Sequence, residues 1–269
     1  MIGAGALSVG DVAMAALLLL ANGLISVAFR LGLERGMVVA GLRMVLQLAA
    51  VGYVLQVVFR QSSAVWTMSL ALLMVAVAAH EACARQSLPI AKPASLALSA
   101  GTLLLVGSFT AMYVTSAVLR VEPWYSARVF LPILGMILGN ALTGMALAFE
   151  TLTQTASSGR GGLEARLALG HPRFEAMREP IRRALTTAMM PVINSMTVAG
   201  VVALPGMMTG QILAGVEPIE AAKYQIMIMF AIAGASSLAV AAAAVGGVLL
   251  ITDRRGRLRL DRLSRKTPD

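Results

Sequence analysis

The segment LPGMMTGQILAG occupies residues 204–215 and lies inside a longer run, residues 184–216, that contains no charged side chain. A straight helix of that run would be about 50 Å long, whereas the hydrocarbon core of a bilayer is about 30 Å thick. The run must therefore break, and Pro205 and Gly206 are where we predict the break. Breaker residues beside paired methionines within an apolar run are typical of a membrane pathway built from interrupted helices.

The composition independently indicates a membrane protein. The chain has 269 residues, of which 58% are hydrophobic and only 13% charged, and its mean hydropathy is +0.80. A water-soluble fold cannot bury that much apolar surface, so the sequence predicts an all-α polytopic membrane protein.

The distribution of the basic residues that give the net charge of +9 argues against a nucleic-acid-binding surface. Seven of the 22 basic residues lie in residues 254–266, as expected of a cytoplasmic tail. We therefore predict a transmembrane domain over residues 1–252 and a basic cytoplasmic tail over 253–269. The single cysteine, Cys83, excludes an intrachain disulfide. The N-terminus lacks the features of a cleaved signal, so we expect Met1 to begin the mature protein.

Charge-free runs predict seven spans, and the positions of the basic residues test that number. With the N-terminus outside, 17 of the 22 basic residues fall in inside segments and four in outside segments, while Arg43 lies within a span. The positive-inside rule predicts such a bias for seven helices with the C-terminus inside. The predicted spans are 10–29, 37–59, 63–80, 94–119, 129–149, 184–204 and 225–251.

The only sizeable predicted loop, residues 150–183, divides into a linker and a helical patch. Residues 157–162 have the composition of a flexible linker. Residues 163–169 are good helix formers with apolar side chains at i, i+4 spacing, and Gly170 supplies a left-handed stop. A second amphipathic stretch, residues 173–183, leads into the sixth span, with a limit or kink expected at Pro180. A short helix of this kind can transmit the movement of a soluble partner to the membrane helix that follows it.

Polar residues within the spans are candidates for a translocation pathway because they are costly in lipid. Arg43 and Gln47 share one helix face, although an arginine near a span end also snorkels to the headgroups. Gly135 and Gly139 form a Gly-x-x-x-Gly pair that favours helix packing. The pathway candidates are Arg43, Gln47, Asn140, Asn194, Met207, Met208, Gln211 and Gln225; for Asn140 and Asn194 a helix–helix hydrogen bond remains an alternative.

The 17 methionines raise the question of a metal cargo. Thioethers suit soft Cu(I), whereas iron prefers carboxylate and imidazole ligands. No acidic or histidine side chain lies in the middle of a predicted span, so the metal ligands remain unknown. Most methionines are expected to be flexible apolar filler, with Met207 and Met208 as the exceptions.

Several segments together resemble a known family. Glu164 and Ala165, with Gly170 following, resemble the coupling motif of ABC transporter permeases, although Arg166 replaces an alanine. More specific are RMVLQL at 43–48, GMILGN at 135–140, LPGMMTG at 204–210 and YQIM at 224–227. In this order and spacing they look like the Fet-type iron-export ABC permease family, which has plant relatives linked to aluminium tolerance.

The resemblance implies a homodimeric permease in the bacterial inner membrane, driven by two copies of a separate ATPase subunit. It assigns the coupling role to Glu164, Ala165, Leu169 and Gly170. The chain itself contains no phosphate loop, so ATP and Mg are expected on the partner, with no cofactor on this chain and no enzymatic activity of its own.

Other functions remain as alternatives. The cargo could instead be a nucleotide sugar or another anionic solute attracted to Arg43. A seven-helix receptor is a different class, but a retinal Schiff base needs a lysine in the last span and residues 225–251 contain none. A membrane-embedded hydrolase would need a buried base or metal set, and no span provides one.

Overall fold

The computed structural model describes residues 9–30, 32, 34–61, 63–84, 92–253 and 257–259. The regular secondary structure of these residues is helical, and the only β-type pairings among them are isolated bridges, Ala199 to Ala203 and Thr252 to Leu258. The predicted all-α class is confirmed. The chain divides into two compact units at the junction between Ser62 and Ser63.

The first unit contains a pair of helices, α1 (Val9–Ala28) and α2 (Glu34–Gln61). The Ser26 hydroxyl donates a hydrogen bond of 2.8 Å to Glu34 across the connection. Gly41 of α2 lies against α1, since a Cβ at this position would be 2.8 Å from Cδ2 of Leu19. Most of the other side chains in both helices are exposed, as expected where lipid is the solvent.

The second unit begins with α3 (Ala64–Ala84) and a long helical stretch, residues 92–118. That stretch consists of α4 (Lys92–Thr102), a π-helical turn (Leu103–Gly107), α5 (Ser108–Tyr113) and a second π-helical turn (Val114–Val118). Leu119 N donates to the carbonyl of Val114, five residues earlier, which is the π-helical pattern.

The remaining helices follow in chain order, and the three longest of them pack against one another. They are α6 (Ala127–Ser158), α7 (Arg160–Ala168), α8 (Arg173–Ala176), α9 (Arg178–Val198), α10 (Gly206–Leu213) and α11 (Pro218–Ile251). α6 lies at the centre and packs against α3, α9 and α11. Glycines allow the closest approach: a Cβ at Gly144 would be 2.7 Å from Val240 Cγ2, and one at Gly247 would be 2.5 Å from Leu152 Cδ2.

Six helical segments of the described residues are long and apolar enough to cross a membrane. They are Gly10–Ala28, Glu34–Gln61, Ala64–Ala84, Pro93–Val118, Ala127–Ser158 and Pro218–Ile251. These correspond to six of the seven predicted spans. The predicted span 184–204 corresponds to α9, which begins at Arg178, includes Arg182 and Arg183, and ends at Val198. The charges in its first two turns lower its hydropathy, so the number seven stays a prediction.

The structure corrects the expectation of a flexible linker at residues 157–162. α6 continues to Ser158, Gly159 forms a single turn residue, and α7 begins at Arg160, so Gly161 and Gly162 are helical. Helix propensity failed here because a glycine costs only about 1 kcal/mol in a helix, less than the adjoining packing provides.

The interruption between α9 and α11 is longer than a break centred on Pro205. α9 ends at Val198, and Gly200 has a φ of +84°, which only glycine adopts without strain. Pro205 is the N-cap of α10, and Gly206 is its first residue. After α10, Gly215 has a φ of +92° and Pro218 begins α11. The chain therefore reverses around one short helix.

Candidate functional site

A cavity of about 460 Å³ lies where α6, α10 and α11 meet, and we call it the methionine cavity. Each helix contributes residues spaced three or four positions apart, so each presents one face to the cavity. α10 is held there because it packs along α11. The lining residues are Leu119, Arg128, Val129, Pro132, Ile133, Met136, Met207, Gln211, Tyr224, Met227 and Ile228.

Two glutamine side chains near this junction have buried amide oxygens. Oε1 of Gln211, in the cavity wall, and Oε1 of Gln225, whose side chain is 9% exposed, have no hydrogen-bond partner among the described residues. A buried acceptor left without a partner costs about 1–3 kcal/mol. Such groups are uncommon in well-packed interiors and indicate positions where an additional donor or ligand would be stabilised.

The structure brings some of the predicted pathway residues together. Met207 and Gln211 line the methionine cavity beside Tyr224, and Gln225 follows on the buried face of α11. Met208 is half-buried outside the cavity wall. Asn140 is exposed, and its Nδ2 donates to the carbonyl of Met136 at 2.9 Å.

The other sequence candidates are not among the lining residues of this cavity. Asn194 is on the exposed second half of α9. Gly135 packs against α3, where a Cβ would be 3.2 Å from Met74 Cε, whereas a Cβ at Gly139 would meet nothing within 4 Å. Arg43 and Gln47 are exposed, one turn apart on α2 of the first unit.

Sequence reasoning missed Met136 and Met227 as cavity residues. Both lie in the segments that carry the family resemblance, Met136 in 135–140 and Met227 in 224–227. Three of those four segments therefore contribute to the lining of one cavity. The signal was present in the motifs, but only the packing of α6 against α11 brings their methionines to the same place.

A second region is the elbow, which we define as residues 155–183, from the end of α6 through α7 and α8 to the first turns of α9. Its inner side is buried: Leu163 is 6% exposed, Ala176 is 1% exposed and Met177 is fully buried. Gly170 has a φ of +88° and ends the helical turn after α7, as predicted. The elbow is thus a packed structure joined directly to α6 and α9.

The outer side of the elbow is charged and has isolated apolar tips. Leu169 is 80% exposed and Phe174 is 42% exposed. Arg160 Nε donates a 2.8 Å hydrogen bond to Glu164, which holds this glutamate along α7. Ala165 is exposed on the same short helix.

A polar cleft of about 930 Å³ separates α7 from the start of α9. The hydrogen bond from Arg183 lowers the pKa of Glu179, and the positive charges of Arg183, Arg182 and Arg166 act in the same direction. The cleft therefore keeps an ionised carboxylate among several guanidinium groups. Its lining residues are Arg166, His171, Glu175, Arg178, Glu179, Arg182 and Arg183.

Among the residues that the structure describes, no three His, Cys, Asp or Glu side chains form a group that could hold a metal ion. The wall of the methionine cavity likewise contains no His, Cys, Asp or Glu side chain. Its polar or charged lining residues are Arg128, Gln211 and Tyr224.

The chain matches one family model, described as the uncharacterised protein family UPF0014, over residues 9–249. It is 38% identical over 211 residues to the rice UPF0014 membrane protein STAR2, covering 78% of this chain and 71% of the relative. It is 33% identical over 216 residues to the Arabidopsis thaliana protein ALUMINUM SENSITIVE 3, covering 80% and 77%.

A bacterial relative is similar over more of its length. The probable iron export permease protein FetB of Escherichia coli is 33% identical over 231 residues, covering 85% of this chain and 86% of the relative. No solved structure matches the chain significantly. The family match, the coverage of these relatives and the six membrane-crossing segments together show that this chain is a multi-pass membrane protein of the UPF0014 family.

Proposed function

We propose that the chain is the permease subunit of an ABC transporter that exports iron from the cytoplasm. In this proposal a separate subunit binds ATP and Mg, two permeases form a homodimer with two ATPase subunits, and the assembly lies in the bacterial inner membrane. The observation that carries it is the elbow, in which the short helices α7 and α8 pack against the end of α6 and the start of α9.

The elbow has the mechanical properties that coupling requires. One residue, Gly159, connects α7 to α6, and Met177 is buried between α8 and α9. A displacement of α7 is therefore passed to α6 and α9 rather than absorbed by a flexible loop. Both of these helices pack against α11, which lines the methionine cavity. Motion at the elbow can thus change the cavity.

The proposed topology has seven crossings, with the N-terminus outside and the C-terminus inside. In this proposal α9 supplies the remaining crossing within the predicted span 184–204, whose helical part, residues 184–198, extends about 22 Å at 1.5 Å per residue. Arg178, Arg182 and Arg183 are then at the cytoplasmic surface, as the positive-inside rule expects. The elbow lies on the same side, within reach of a cytoplasmic ATPase.

The cargo is proposed from the name of the FetB relative, an iron export permease at 33% identity. The alternative cargo, an anionic solute such as a nucleotide sugar, is supported by Arg43 and by Arg128 in the cavity wall. Iron export is preferred because the FetB relative is matched over 86% of its length.

The test is reconstitution of the purified chain with its cognate ATP-binding subunit in lipid nanodiscs and in inverted vesicles. The proposal expects a stable complex, ATP hydrolysis above that of the ATPase alone, and ATP-dependent iron uptake into the inverted vesicles. A permease that neither binds nor stimulates the ATPase contradicts the coupling role. Stimulation with uptake of a nucleotide sugar and no uptake of iron would contradict only the cargo.

A further inference from the structure

We propose that Met136, Met207 and Met227 form a binding site for a soft monovalent metal ion, Cu(I) or Ag(I). The three methionines come from α6, α10 and α11, and they are separated by 71 and 20 positions in the chain. Helical spacing within one element cannot explain their convergence. All three are half-buried, so each side chain is held by packing and still reaches the cavity.

The methionine content of the wall exceeds what the composition explains. Three of the 11 lining residues are methionine, whereas 17 methionines in 269 residues would give fewer than one in a set of that size. Methionine is also a common filler of irregular space. Here, however, methionines from three separate helices line one cavity of about 460 Å³.

The other lining groups select the class of metal. The wall contains no carboxylate, imidazole or thiolate, and its hard oxygen groups are limited to the Tyr224 phenol and the Gln211 amide, so it is poor in the ligands that iron and hard divalent ions prefer. Thioethers are soft, neutral ligands that select Cu(I). Oε1 of Gln211 is buried without a partner among the described residues, and it adds one further electron-pair donor to the same wall.

The one cationic lining residue lies at the other end of the α6 face. Arg128 is the second residue of α6, and Met136 follows eight positions later. At 1.5 Å per residue the two residues are about 12 Å apart along the helix axis. A neutral ligand set with a distant positive charge admits a monovalent ion more easily than a divalent one.

The site does not depend on the proposed iron export, because it requires only the fold of this chain. The experiment therefore uses the purified full-length permease without any ATPase subunit, in nanodiscs. Cys83→Ala serves as the parent, since a thiol would compete for the metal. Cu(I) is titrated anaerobically against a chromophoric Cu(I) chelator, Ag(I) is the redox-inert second probe, and Fe(II) is added as a competitor.

The expected result is one Cu(I) bound per chain and no displacement by Fe(II). Met136→Leu, Met207→Leu and Met227→Leu should each weaken binding by about tenfold or more, because the loss of even an outer partner of a metal ligand costs about 10–100-fold. Leucine nearly conserves the volume of methionine, so the fold should persist. Copper X-ray absorption should show three sulfur neighbours in the parent and two in each variant.

The matched control is Met208→Leu, the same substitution at the next residue of α10, where the side chain does not line the cavity. Its affinity should equal that of the parent. Equal binding by the parent and by a variant lacking all three methionines overturns the proposal. So does an equal loss of affinity in the Met208 control, which would mean that methionines bind the metal unspecifically.

Discussion

Arg183 donates a hydrogen bond of 2.8 Å from Nε to Oε1 of Glu179, one turn earlier in α9, at the edge of the elbow cleft. The pair is exposed, with side chains 63% and 50% accessible. Isolated exposed pairs contribute little to stability. This one acts locally, because it keeps the carboxylate ionised beside Arg182 and Arg166 where α9 begins.

The first prediction concerns the titration of Glu179. The hydrogen bond from Arg183 is the main cause that lowers the pKa of Glu179 from its ordinary value of 4.5, so the carboxylate should titrate with a midpoint below 4.5. A lowered folded-state pKa stabilises the fold above the unfolded value, and that contribution is lost as the pH falls through the folded pKa. The Glu179 ion pair should therefore weaken as the pH falls through that lowered midpoint.

Carbon-13 NMR of glutamate-labelled protein in nanodiscs can measure this midpoint. Glu179→Gln assigns the resonance by its disappearance. Arg183→Gln removes the largest cause of the shift and should raise the midpoint. A midpoint at or above 4.5 in the unmodified protein would show that the pair does not form in solution.

The second prediction concerns coupling through α7. Glu164→Lys places a positive charge beside Arg160 and reverses the charge at this position of the surface proposed to bind the ATPase. Gly170→Leu puts a bulky side chain on a residue with a φ of +88°, a backbone conformation that favours glycine. Both variants should insert into the membrane and lose stimulation of the ATPase. Stimulation is measured as ATP hydrolysis in nanodiscs containing both subunits.

Gly162→Ala is the control for these substitutions. Gly162 is helical, and a Cβ there would meet nothing within 4 Å, so alanine should preserve the elbow and its stimulation. Normal stimulation by both Glu164→Lys and Gly170→Leu would exclude the patch at 163–170 from the coupling role.

The third prediction concerns the close approach of α11 to α6. Gly247→Ala introduces a Cβ 2.5 Å from Cδ2 of the fully buried Leu152, and it should destabilise the protein by about 1–3 kcal/mol. Gly234→Ala is the matched change in the same helix, where a Cβ meets nothing within 4 Å. Thermal unfolding in detergent should separate the two. Equal unfolding temperatures would mean that the helices do not pack so closely.

The fourth prediction is the topology. A reporter fused after Lys266 should be cytoplasmic, and a reporter inserted near Glu217 should be outside. A third reporter, placed between Gly170 and Arg173 at the elbow, should again be cytoplasmic if α9 crosses the membrane. If the Lys266 reporter is found outside, the number of crossings is wrong by one.

The fifth prediction is that α10 forms part of an outer gate. Cysteine scanning of residues 205–213 in a Cys83→Ala background should give labelling with helical periodicity. Positions 207 and 211, in the cavity wall, should change their reactivity to a water-soluble thiol reagent when the ATPase binds nucleotide. Position 213, which is 77% exposed, serves as the reference. Uniform labelling that does not change when nucleotide binds would show that the segment is a connecting loop and not a gate.

Packing also decides how Gly139 should be understood. The Gly-x-x-x-Gly pattern predicts that Gly139 packs together with Gly135, yet of the two only Gly135 has a described neighbour within 4 Å of an added Cβ. Gly139 and Asn140 are both exposed on α6, so a packing role for Gly139 stays a prediction.

The sequence by itself determined that the protein lies in lipid, that it is helical, and where most of its spans are. Hydropathy and charge act locally along the chain, so three lipid-facing runs could be located to within a few residues, namely Gly10–Ala28, Glu34–Gln61 and Pro93–Val118. The stop at Gly170 was also predictable, because a left-handed backbone conformation favours glycine whatever surrounds it. The family resemblance was also visible in the sequence, because it rests on short local motifs.

Only the tertiary structure decided how distant segments combine. The linker at 157–162 became helical because packing at Leu163 and Met177 outweighs the low helix propensity of its glycines. Met136, Met207 and Met227 could not be grouped from their spacing, since they belong to three helices. Their common cavity exists because α11 packs against both α6 and the short helix α10.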